Sequence, residues 1–278
     1  ISVANATEQV NSDYGDNVYA ASVHNLQVLP DRSDNAPILI LALDCEMVTG
    51  DGSDRFPTSE KDPIIQIACV SWRLTAPDVV ERVIFVLGTC DDLDNCDRVF
   101  SFDTETAMLT AFGKYVVEKS PDVLTGYNSD GFDYPYIFER ARRLRTTVNG
   151  KPFKFLSSWR TYGATYEKST SQSNQAGAVE KVSFDCPGVV FIDPLIIFRQ
   201  QEKLRSYRLN DAAGELLGDQ KDDMPYSQIP ILQRGSSKDR AQLAHYCVQD
   251  TDLVRRLINK RQLIVNLIEM ARVIGCTF

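Results

Sequence analysis

An uninterrupted run of apolar residues at 38–43 constrains the fold more than any other segment of the chain. A strand with one solvated face alternates apolar and polar side chains, whereas a strand buried on both faces is apolar throughout. The run therefore predicts a central strand that is covered on both sides, as in a sheet flanked by helices.

The rest of the chain alternates predicted strands with predicted helices, and this alternation indicates an α/β domain. Residues 1–36 are polar and without clear period, which predicts an irregular lead-in with short edge strands. Residues 146–190 contain a polar stretch at 169–177, which predicts a protruding β-hairpin or a flexible insertion. Further strands are expected at 64–72, 79–87, 123–125 and 189–192, and helices at 104–120, 133–144 and 253–274.

Composition and charge exclude several classes of protein. Hydrophobic residues make up 43% of the 278 residues, so the chain can bury a sizeable core and is neither disordered nor of low complexity. The net charge of −8 argues against a basic coat for nucleic acid. Residues 1–103 hold 6 basic and 18 acidic residues, whereas residues 104–278 hold 24 and 20. The acidic part fits a solvated surface or a metal site, and the basic part is compatible with a polyanionic substrate.

The 7 cysteines and 2 histidines show neither a disulfide nor a zinc pattern. No Cys-x-x-Cys occurs, and neither His24 nor His245 is spaced with cysteines as zinc ligands would be, which favours a reducing intracellular compartment. The absence of an 18-residue apolar run or a secretory signal predicts no membrane association. Because the chain begins with Ile1 rather than Met, we expect a fragment of a longer protein.

Two carboxylates, Asp44 and Glu46, come directly after the first predicted strand. Side chains two apart in a strand point to the same face, and open α/β sheets keep their sites at the carboxyl ends of strands. Two like charges so placed repel unless a cation lies between them, and carboxylate oxygens suit Mg²⁺ or Mn²⁺. The alternative is a strand end with two solvated acids.

Two further constellations lie later in the chain. At 125–135 (TGYNSDGFDYP) a strand runs into a glycine-bearing loop, and Asp133 lies at the start of a predicted helix. Tyr246 and Asp250 stand four apart, on one face of another predicted helix. The structural alternatives are a capping aspartate for the first and a buried tyrosine with a surface aspartate for the second.

Three motifs follow one another along the chain: two acids on a strand, Asn-x-x-x-Phe-Asp at 128–133 and Tyr-x-x-x-Asp at 246–250. Together they resemble the motifs of the 3′→5′ exonucleases of the DEDD superfamily, in the version that contains the tyrosine. The closest likeness is the proofreading domain of family B DNA polymerases, in the delta-like branch, cellular or from a large DNA virus. Cys45 departs from the pattern, because an apolar residue is usual there. Other similar segments are Phe56-Pro57, DPIIQIA at 62–68, LRSYRLN at 204–210, LGDQK at 217–221 and IEMARVIG at 268–275.

The resemblance covers about residues 36–278 and implies a ribonuclease-H-like α/β fold, in which helices flank a central mixed β-sheet and a β-hairpin is inserted. It implies that residues 37–278 are the exonuclease domain and residues 1–36 the remnant of an N-terminal domain. No palm, fingers or thumb motif is present in the sequence. The intact parent is therefore expected to be a DNA-directed DNA polymerase.

The same resemblance implies hydrolysis of a 3′-terminal phosphodiester with two Mg²⁺ ions, which Mn²⁺ can replace. The metal ligands would be Asp44, Glu46, Asp133 and Asp250, with Tyr246 orienting the nucleophilic water. The residues expected to contact DNA are Asn128, Phe132, Met47, Arg205 and Arg208. The arginines at 140, 142, 143 and 145 are interpreted as an exposed helix face, with phosphate contact as the alternative.

The expected partner is a single-stranded or frayed 3′ end of DNA. Unpairing a terminus costs least at a mismatch, which would give proofreading selectivity. Further expected partners are the palm, fingers and thumb of the parent polymerase, accessory subunits and a sliding clamp. The nucleus is the expected location for a cellular chain or a nuclear-replicating virus.

Three other functions remain open. A DEDD exonuclease acting on RNA would differ by a contact to the 2′-hydroxyl, and a nuclease-like module could bind nucleic acid without activity. A polymerase complete in itself is disfavoured. Residues 250–252 read Asp-Thr-Asp, as in a polymerase palm, but they open a predicted helix rather than join two strands.

Overall fold

A computed structural model describes most of the chain. The described residues are 2–3, 7–9, 18–27, 34–51, 55–148, 150–153, 165–173, 177–186, 188–218 and 224–276. Within these ranges, no helix combines the length and the apolar character that crossing a membrane requires.

Fourteen strands and seven α-helices are described in these ranges. The strands are β1 (Ser2–Val3), β2 (Thr7–Gln9), β3 (Val18–Ala20), β4 (Leu26–Gln27), β5 (Leu39–Met47), β6 (Ile64–Arg73), β7 (Ala76–Leu87), β8 (Arg98–Phe102), β9 (Val123–Thr125), β10 (Thr147–Val148), β11 (Lys151–Pro152), β12 (Thr165–Ser173), β13 (Gly177–Asp185) and β14 (Val190–Ile192). The helices are α1 (Glu105–Lys119), α2 (Asp133–Arg143), α3 (Pro194–Gln201), α4 (Leu209–Leu217), α5 (Ile229–Arg234), α6 (Ser237–Lys260) and α7 (Leu263–Ile274).

The central sheet is mixed and has six strands in the order β14-β9-β5-β6-β7-β8. Strands β5, β6 and β7 form an antiparallel meander, β9 and β14 run parallel to β5, and β8 runs parallel to β7. A meander whose first strand is joined by parallel strands is the arrangement expected of a ribonuclease-H-like fold, so the predicted fold class is confirmed.

Strand β5 is covered on both faces, as its apolar sequence predicts, because Ile40, Leu41 and Ala42 are 0% exposed. Leu41 belongs to the core that includes α1 and α2, whereas Ile40 shares a core cluster with α6 and α7. Even-numbered residues of β5 therefore face α6. Asp44 and Glu46 continue this even series, so both carboxylates emerge on the α6 side of the sheet.

The single helix predicted at 253–274 is wrong, because the structure has two helices there. Helix α6 ends at Lys260, and Gln262 adopts a left-handed conformation with φ +49° before α7 begins. Leu257 in α6 and Ile264 in α7 fill the same core cluster, so the apolar spacing continues across the break. The polar stretch at 259–262 was the only local sign of a break.

Two smaller features complete the comparison with the predicted elements. Strand β8 was not predicted, although it follows the acidic loop at 91–97 directly. The expected edge strands of the lead-in are present as two short antiparallel pairs, β1 with β4 and β2 with β3.

The predicted insertion contains an antiparallel hairpin formed by β12 and β13. Its register joins Thr165 to Asp185 at the base and Ser173 to Gly177 at the tip. The polar stretch 169–177 therefore belongs largely to the two strands, while residues 174–176 lie outside the described part of the chain. In the described residues, β12 and β13 form a two-stranded sheet separate from the central one.

Shortening this hairpin is expected to leave the fold and single-strand digestion nearly intact. Residues 169–181 are replaced by Asn-Gly, which retains the pairing of Lys168 with Val182 and supplies a two-residue turn. Thermal unfolding and digestion of a single-stranded oligonucleotide measure the effect, with an equal-length Gly/Ser replacement as the control. Aggregation, or a Tm many degrees lower, would show that the hairpin is structural.

Candidate active site

The carboxyl end of β5 and the start of α2 bring acidic side chains together. Asp44 and Glu46 lie at the carboxyl end of β5, both partly exposed, beside a β-bulge between Glu46 and Met47. Bulges re-aim side chains and are common beside active sites. The predicted placement of both carboxylates on one face agrees with the register of β5 against β6.

Asp133 is the first residue of α2 and is 3% exposed. Its Oδ1 accepts a hydrogen bond of 3.2 Å from the backbone N–H of Cys45, the residue between Asp44 and Glu46. Burial, followed by the nearby Asp44 carboxylate, raises the pKa of Asp133 well above its usual value. Three carboxylates therefore repel one another here, and a divalent cation would offset that repulsion.

Helix α6 carries Asp250 and Tyr246, the other two residues predicted for the site. Asp250 is 8% exposed, and Tyr246, one turn earlier, is partly exposed. Between them lies Cys247, which is fully buried and whose Sγ is 3.9 Å from Oδ2 of Asp44. Ligand atoms of Asp44, Glu46 and Cys247 all lie within 4.8 Å of one another.

Cys247 was missed by the sequence analysis, which treated the cysteines only as possible disulfide or zinc residues. Burial and the Asp44 carboxylate raise the pKa of Cys247 well above its usual value, so it is a protonated thiol. A thiol can donate to Asp44, with the carbonyl oxygen 3.7 Å away and Oδ2 3.9 Å away. The donor set of carboxylate oxygens suits a hard divalent cation such as Mg²⁺ or Mn²⁺.

The loop before α2 is held by Asp193, another residue that sequence analysis did not single out. Asn128 adopts a left-handed conformation with φ +62°, and its backbone N–H donates to Asp193 Oδ1 at 3.0 Å. Asp193 is 4% exposed and also caps the start of α3. A Cβ at Gly126 would lie 2.7 Å from the carbonyl oxygen of Leu43, so only glycine lets the loop pass this close to the end of β5.

Aromatic side chains lie at the start of α2. Phe132 precedes Asp133, and its ring centroid is 5.3 Å from that of Phe56, which is 64% exposed. Phe56 belongs to a segment that is similar to the family, and the structure adds it to the surroundings of Phe132. Met47 is 4% exposed within the main core, and its contact with DNA stays a prediction.

The basic residues singled out in the sequence have different environments. Arg205 and Arg208 are exposed just before α4, and their DNA contacts stay predictions. Arg140 is neither on an exposed face nor available to phosphate, because it forms two hydrogen bonds of 2.7 and 2.8 Å with the buried Glu105. The spacing of the arginines at 140, 142, 143 and 145 does not indicate that Arg140 contacts Glu105 of α1.

The loop that carries Phe56 is organised around one buried carboxylate. Asp62 is 0% exposed and accepts hydrogen bonds from the Arg55 guanidinium at 2.5 and 2.8 Å. It also accepts from the backbone N–H groups of Gly50 and Thr58. The hydrogen bond with Arg55 holds the pKa of Asp62 well below its usual value.

Arg55→Met is expected to lower the free energy of unfolding by roughly 2–3 kcal/mol at neutral pH, because it leaves a buried carboxylate without its cation. This loss is smaller than the one expected for a fully buried ion pair, because the Arg55 side chain is 34% exposed to solvent. In the folded variant, Asp62 should bind a proton at a higher pH than it does in the unsubstituted chain. The difference in the free energy of unfolding between the two chains should therefore narrow as pH falls. Urea unfolding at pH 7 and pH 4 measures both effects.

Arg142→Met is the control for this variant, because Arg142 pairs with Glu139 on the surface and its side chain is 64% exposed. It should change stability by less than about 0.5 kcal/mol. The interpretation of Asp62 would be contradicted if the Arg55 and Arg142 variants lost equal amounts of free energy of unfolding. It would also be contradicted if the loss in the Arg55 variant did not change with pH.

The order of the sheet defines a ribonuclease-H-like domain, and the carboxylates at the end of β5 form a group that could hold a metal ion. The chain matches the family model for the exonuclease domain of DNA polymerase family B over residues 2–212. The chain therefore belongs to the exonuclease domains of the family B DNA polymerases, and the predicted family and 3′→5′ exonuclease class are confirmed. Exonuclease domains of this family depend on divalent metal ions.

Curated relatives agree with the family. The chain is 36% identical over 257 residues to the DNA polymerase catalytic subunit of Alcelaphine herpesvirus 1 (strain C500), covering 92% of this chain and 24% of the relative. It is 35% identical over 246 residues to the DNA polymerase delta catalytic subunit of Schizosaccharomyces pombe, covering 88% and 22%. The Caenorhabditis elegans delta catalytic subunit is 37% identical over 240 residues, covering 86% and 22%. The chain thus spans about a quarter of the length of these relatives.

Proposed function

We propose that this chain removes mismatched nucleotides from the 3′ end of DNA, as the proofreading part of a larger family B DNA polymerase. The observation that carries the proposal is the convergence of Asp44, Glu46 and Asp133 at the end of β5, linked through the Cys45 N–H. Their mutual repulsion fits a site built for divalent cations. The relatives are named as polymerase catalytic subunits, which supports a larger parent.

The metal ligands would be Asp44, Glu46, Asp133 and Asp250. Two divalent ions, Mg²⁺ with Mn²⁺ as a substitute, would activate a water and neutralise charge on the phosphate and the leaving oxygen. The backbone hydrogen bond from Cys45 fixes Asp133, and the Cys247 thiol lies against Asp44. These contacts hold the carboxylates in place before substrate arrives, which lowers the cost of reorganisation during hydrolysis.

Tyr246 would orient the attacking water through its hydroxyl. It lies on the same helix as Asp250, one turn earlier, so the two side chains share a face. A phenol that is not fully buried can reach a solvent molecule and still be held by the helix. Its contribution is positioning of the nucleophile.

Substrate choice would follow from access rather than from base identity. The terminal nucleotide has to be unpaired to reach the carboxylates, and unpairing costs least at a mismatch. The Phe132 and Phe56 rings, 5.3 Å apart, offer a surface on which unpaired bases can stack. Asn128, Met47, Arg205 and Arg208 complete the proposed DNA contacts.

The proposed partners are a single-stranded or frayed 3′ DNA end, the palm, fingers and thumb of the parent polymerase, accessory subunits and a sliding clamp. The proposed location is the nucleus, for a cellular parent or a nuclear-replicating virus. Relatives named as delta catalytic subunits and as a herpesvirus polymerase support this setting.

Digestion of labelled oligonucleotides by this chain tests the proposal. We expect stepwise loss of nucleotides from the 3′ end of single-stranded DNA with Mg²⁺ or Mn²⁺, faster removal at a mismatched than at a matched end, and no primer extension with dNTPs. Asp44→Ala, prepared in parallel, should be inactive and so exclude a contaminating nuclease.

The alternatives predict other outcomes of the same assay. Faster digestion of a matched RNA oligomer would indicate an RNA exonuclease. Tight binding of DNA without cleavage at any metal concentration would indicate a binding module. Primer extension by this chain alone would contradict the division between exonuclease and polymerase.

A further inference from the structure

A buried amide lies beside the proposed metal site. Gln66 is 0% exposed in β6, and its Cα pairs with that of Glu46 across the antiparallel β5–β6 ladder. Directly opposed residues of such a ladder point to the same face, with Cβ atoms about 5 Å apart. Gln66 and Glu46 are therefore neighbours on the α6 side of the sheet.

The orientation of this amide is determined by its one hydrogen bond. Gln66 Nε2 donates to the backbone carbonyl of Arg240 in α6 at 3.0 Å. A carbonyl can only accept, so the NH₂ group has to face Arg240 and the amide oxygen has to face away from it. Among the described residues, no donor reaches the Oε1 of Gln66, which is shielded by the protein.

The surroundings of Gln66 do not explain a polar residue. On the same face of β6, the next residue is Ala68, which is 0% exposed and belongs to an apolar cluster with Ala244 and Cys247 of α6. A buried amide with one group satisfied and one unsatisfied is less stable in such a core than an apolar side chain. A function that uses the amide oxygen accounts for the residue.

The unsatisfied amide oxygen of Gln66 and the carboxylate of its neighbour Glu46 are both acceptors. The Gln66 Oε1 can only accept, and an ionised Glu46 carboxylate can only accept, so a direct hydrogen bond between them is impossible. A water molecule has two O–H donors and can satisfy both at once. The register of the ladder shifts between Glu46 and Met47, and such a bulge disrupts the ladder locally and bends the strand beside Glu46.

We propose that Gln66 is a positioning residue for Glu46, acting through a water molecule that donates to the Gln66 amide oxygen and to the Glu46 carboxylate. This inference rests on the proposed function, in which Glu46 is a metal ligand. Hydrogen bonds from an outer layer fix the orientation of ligating carboxylates, and their loss commonly weakens metal binding by about 10–100-fold.

Gln66→Met tests the proposal, because methionine has a similar length and lacks both amide groups. We expect Mn²⁺ affinity, measured by calorimetry on this chain, to fall by about 10–100-fold. The kcat at saturating Mn²⁺ should recover most of its parental value, while the Mn²⁺ concentration needed for half-maximal rate rises. Ser71→Ala is the matched control, because Ser71 is a buried polar residue of the same strand, bonded to Glu81; its Mn²⁺ affinity should equal that of the parent.

If the variant does not fold, a crystal structure of the unsubstituted chain that resolves ordered water provides an independent measurement. We expect one water within hydrogen-bond distance of both Gln66 Oε1 and the Glu46 carboxylate. Parental Mn²⁺ affinity in a folded Gln66→Met, or a Gln66 oxygen with no such water, would overturn the inference. A parent chain that binds no Mn²⁺ and leaves DNA intact would instead overturn the proposed function.

Discussion

Asp133→Ala is expected to lower the rate of 3′-terminal hydrolysis by roughly 10³-fold or more, because metal ligands supply several kcal/mol of stabilisation to the transition state. Asp133→Asn should lower the rate of hydrolysis by as much, although its amide oxygen can still accept a hydrogen bond from the Cys45 N–H. Calorimetric titration with Mn²⁺ should show that both variants lose metal affinity. Asp44→Ala should behave in the same way, since it removes a carboxylate from the same cluster.

Asp133→Asn, which should lower the rate of hydrolysis, should raise the stability of the chain when no metal is present. Asp133 is buried beside Asp44 and has a raised pKa, so the folded state binds its proton more tightly than the unfolded state does. Rising pH above the ordinary carboxyl pKa therefore lowers the free energy of unfolding of the parent. Asp133→Asn removes this pH dependence. At neutral pH the variant should therefore have a larger free energy of unfolding than the unsubstituted chain.

Urea unfolding in EDTA at pH 5 and pH 8 measures this difference, with saturating Mn²⁺ as the matched condition in which the parent regains stability. An Asp133→Asn chain that digests DNA at the parental rate would mean that the wrong site has been identified. A parental pH dependence in that variant would remove the electrostatic account of Asp133.

Tyr246→Phe should separate the orientation of water from the binding of metal. The change removes one hydroxyl and leaves the ring, so Mn²⁺ affinity and DNA binding should remain nearly parental. The chemical rate should fall by about 10²-fold, as for other groups that position or polarise a reactant in the transition state. Single-turnover digestion at saturating Mn²⁺ isolates that rate.

Tyr127→Phe is the control for this measurement. Tyr127 donates from its hydroxyl to the Tyr207 carbonyl at 2.8 Å, so Tyr127→Phe tests the loss of a partly buried phenol hydrogen bond outside the carboxylate cluster. It should affect stability more than the rate. An unchanged rate in Tyr246→Phe, or an equal loss of Mn²⁺ affinity, would contradict the role assigned to Tyr246.

The sequence determined the elements whose signals are local. The apolar run at 38–43 predicted a strand covered on both faces, and the alternation of side chains along it placed Asp44 and Glu46 together. Asp133 at the start of α2 followed from its position after a strand and loop. These inferences succeeded because strand and helix periods arise from backbone geometry within one element. The order of the motifs was specific enough to indicate the family.

The tertiary structure decided every feature that depends on how elements dock. Cys247 meets Asp44 across 203 positions of sequence, and the Cys45 N–H meets Asp133 across 88. Arg140 donates hydrogen bonds to Glu105, and the helix is interrupted at Gln262 between α6 and α7. No periodic pattern encodes such contacts, because they arise from the packing of one helix or loop against a distant strand. The sequence thus selected the acids that we propose as metal ligands, whereas packing decided which buried groups contact Asp44 and Asp133.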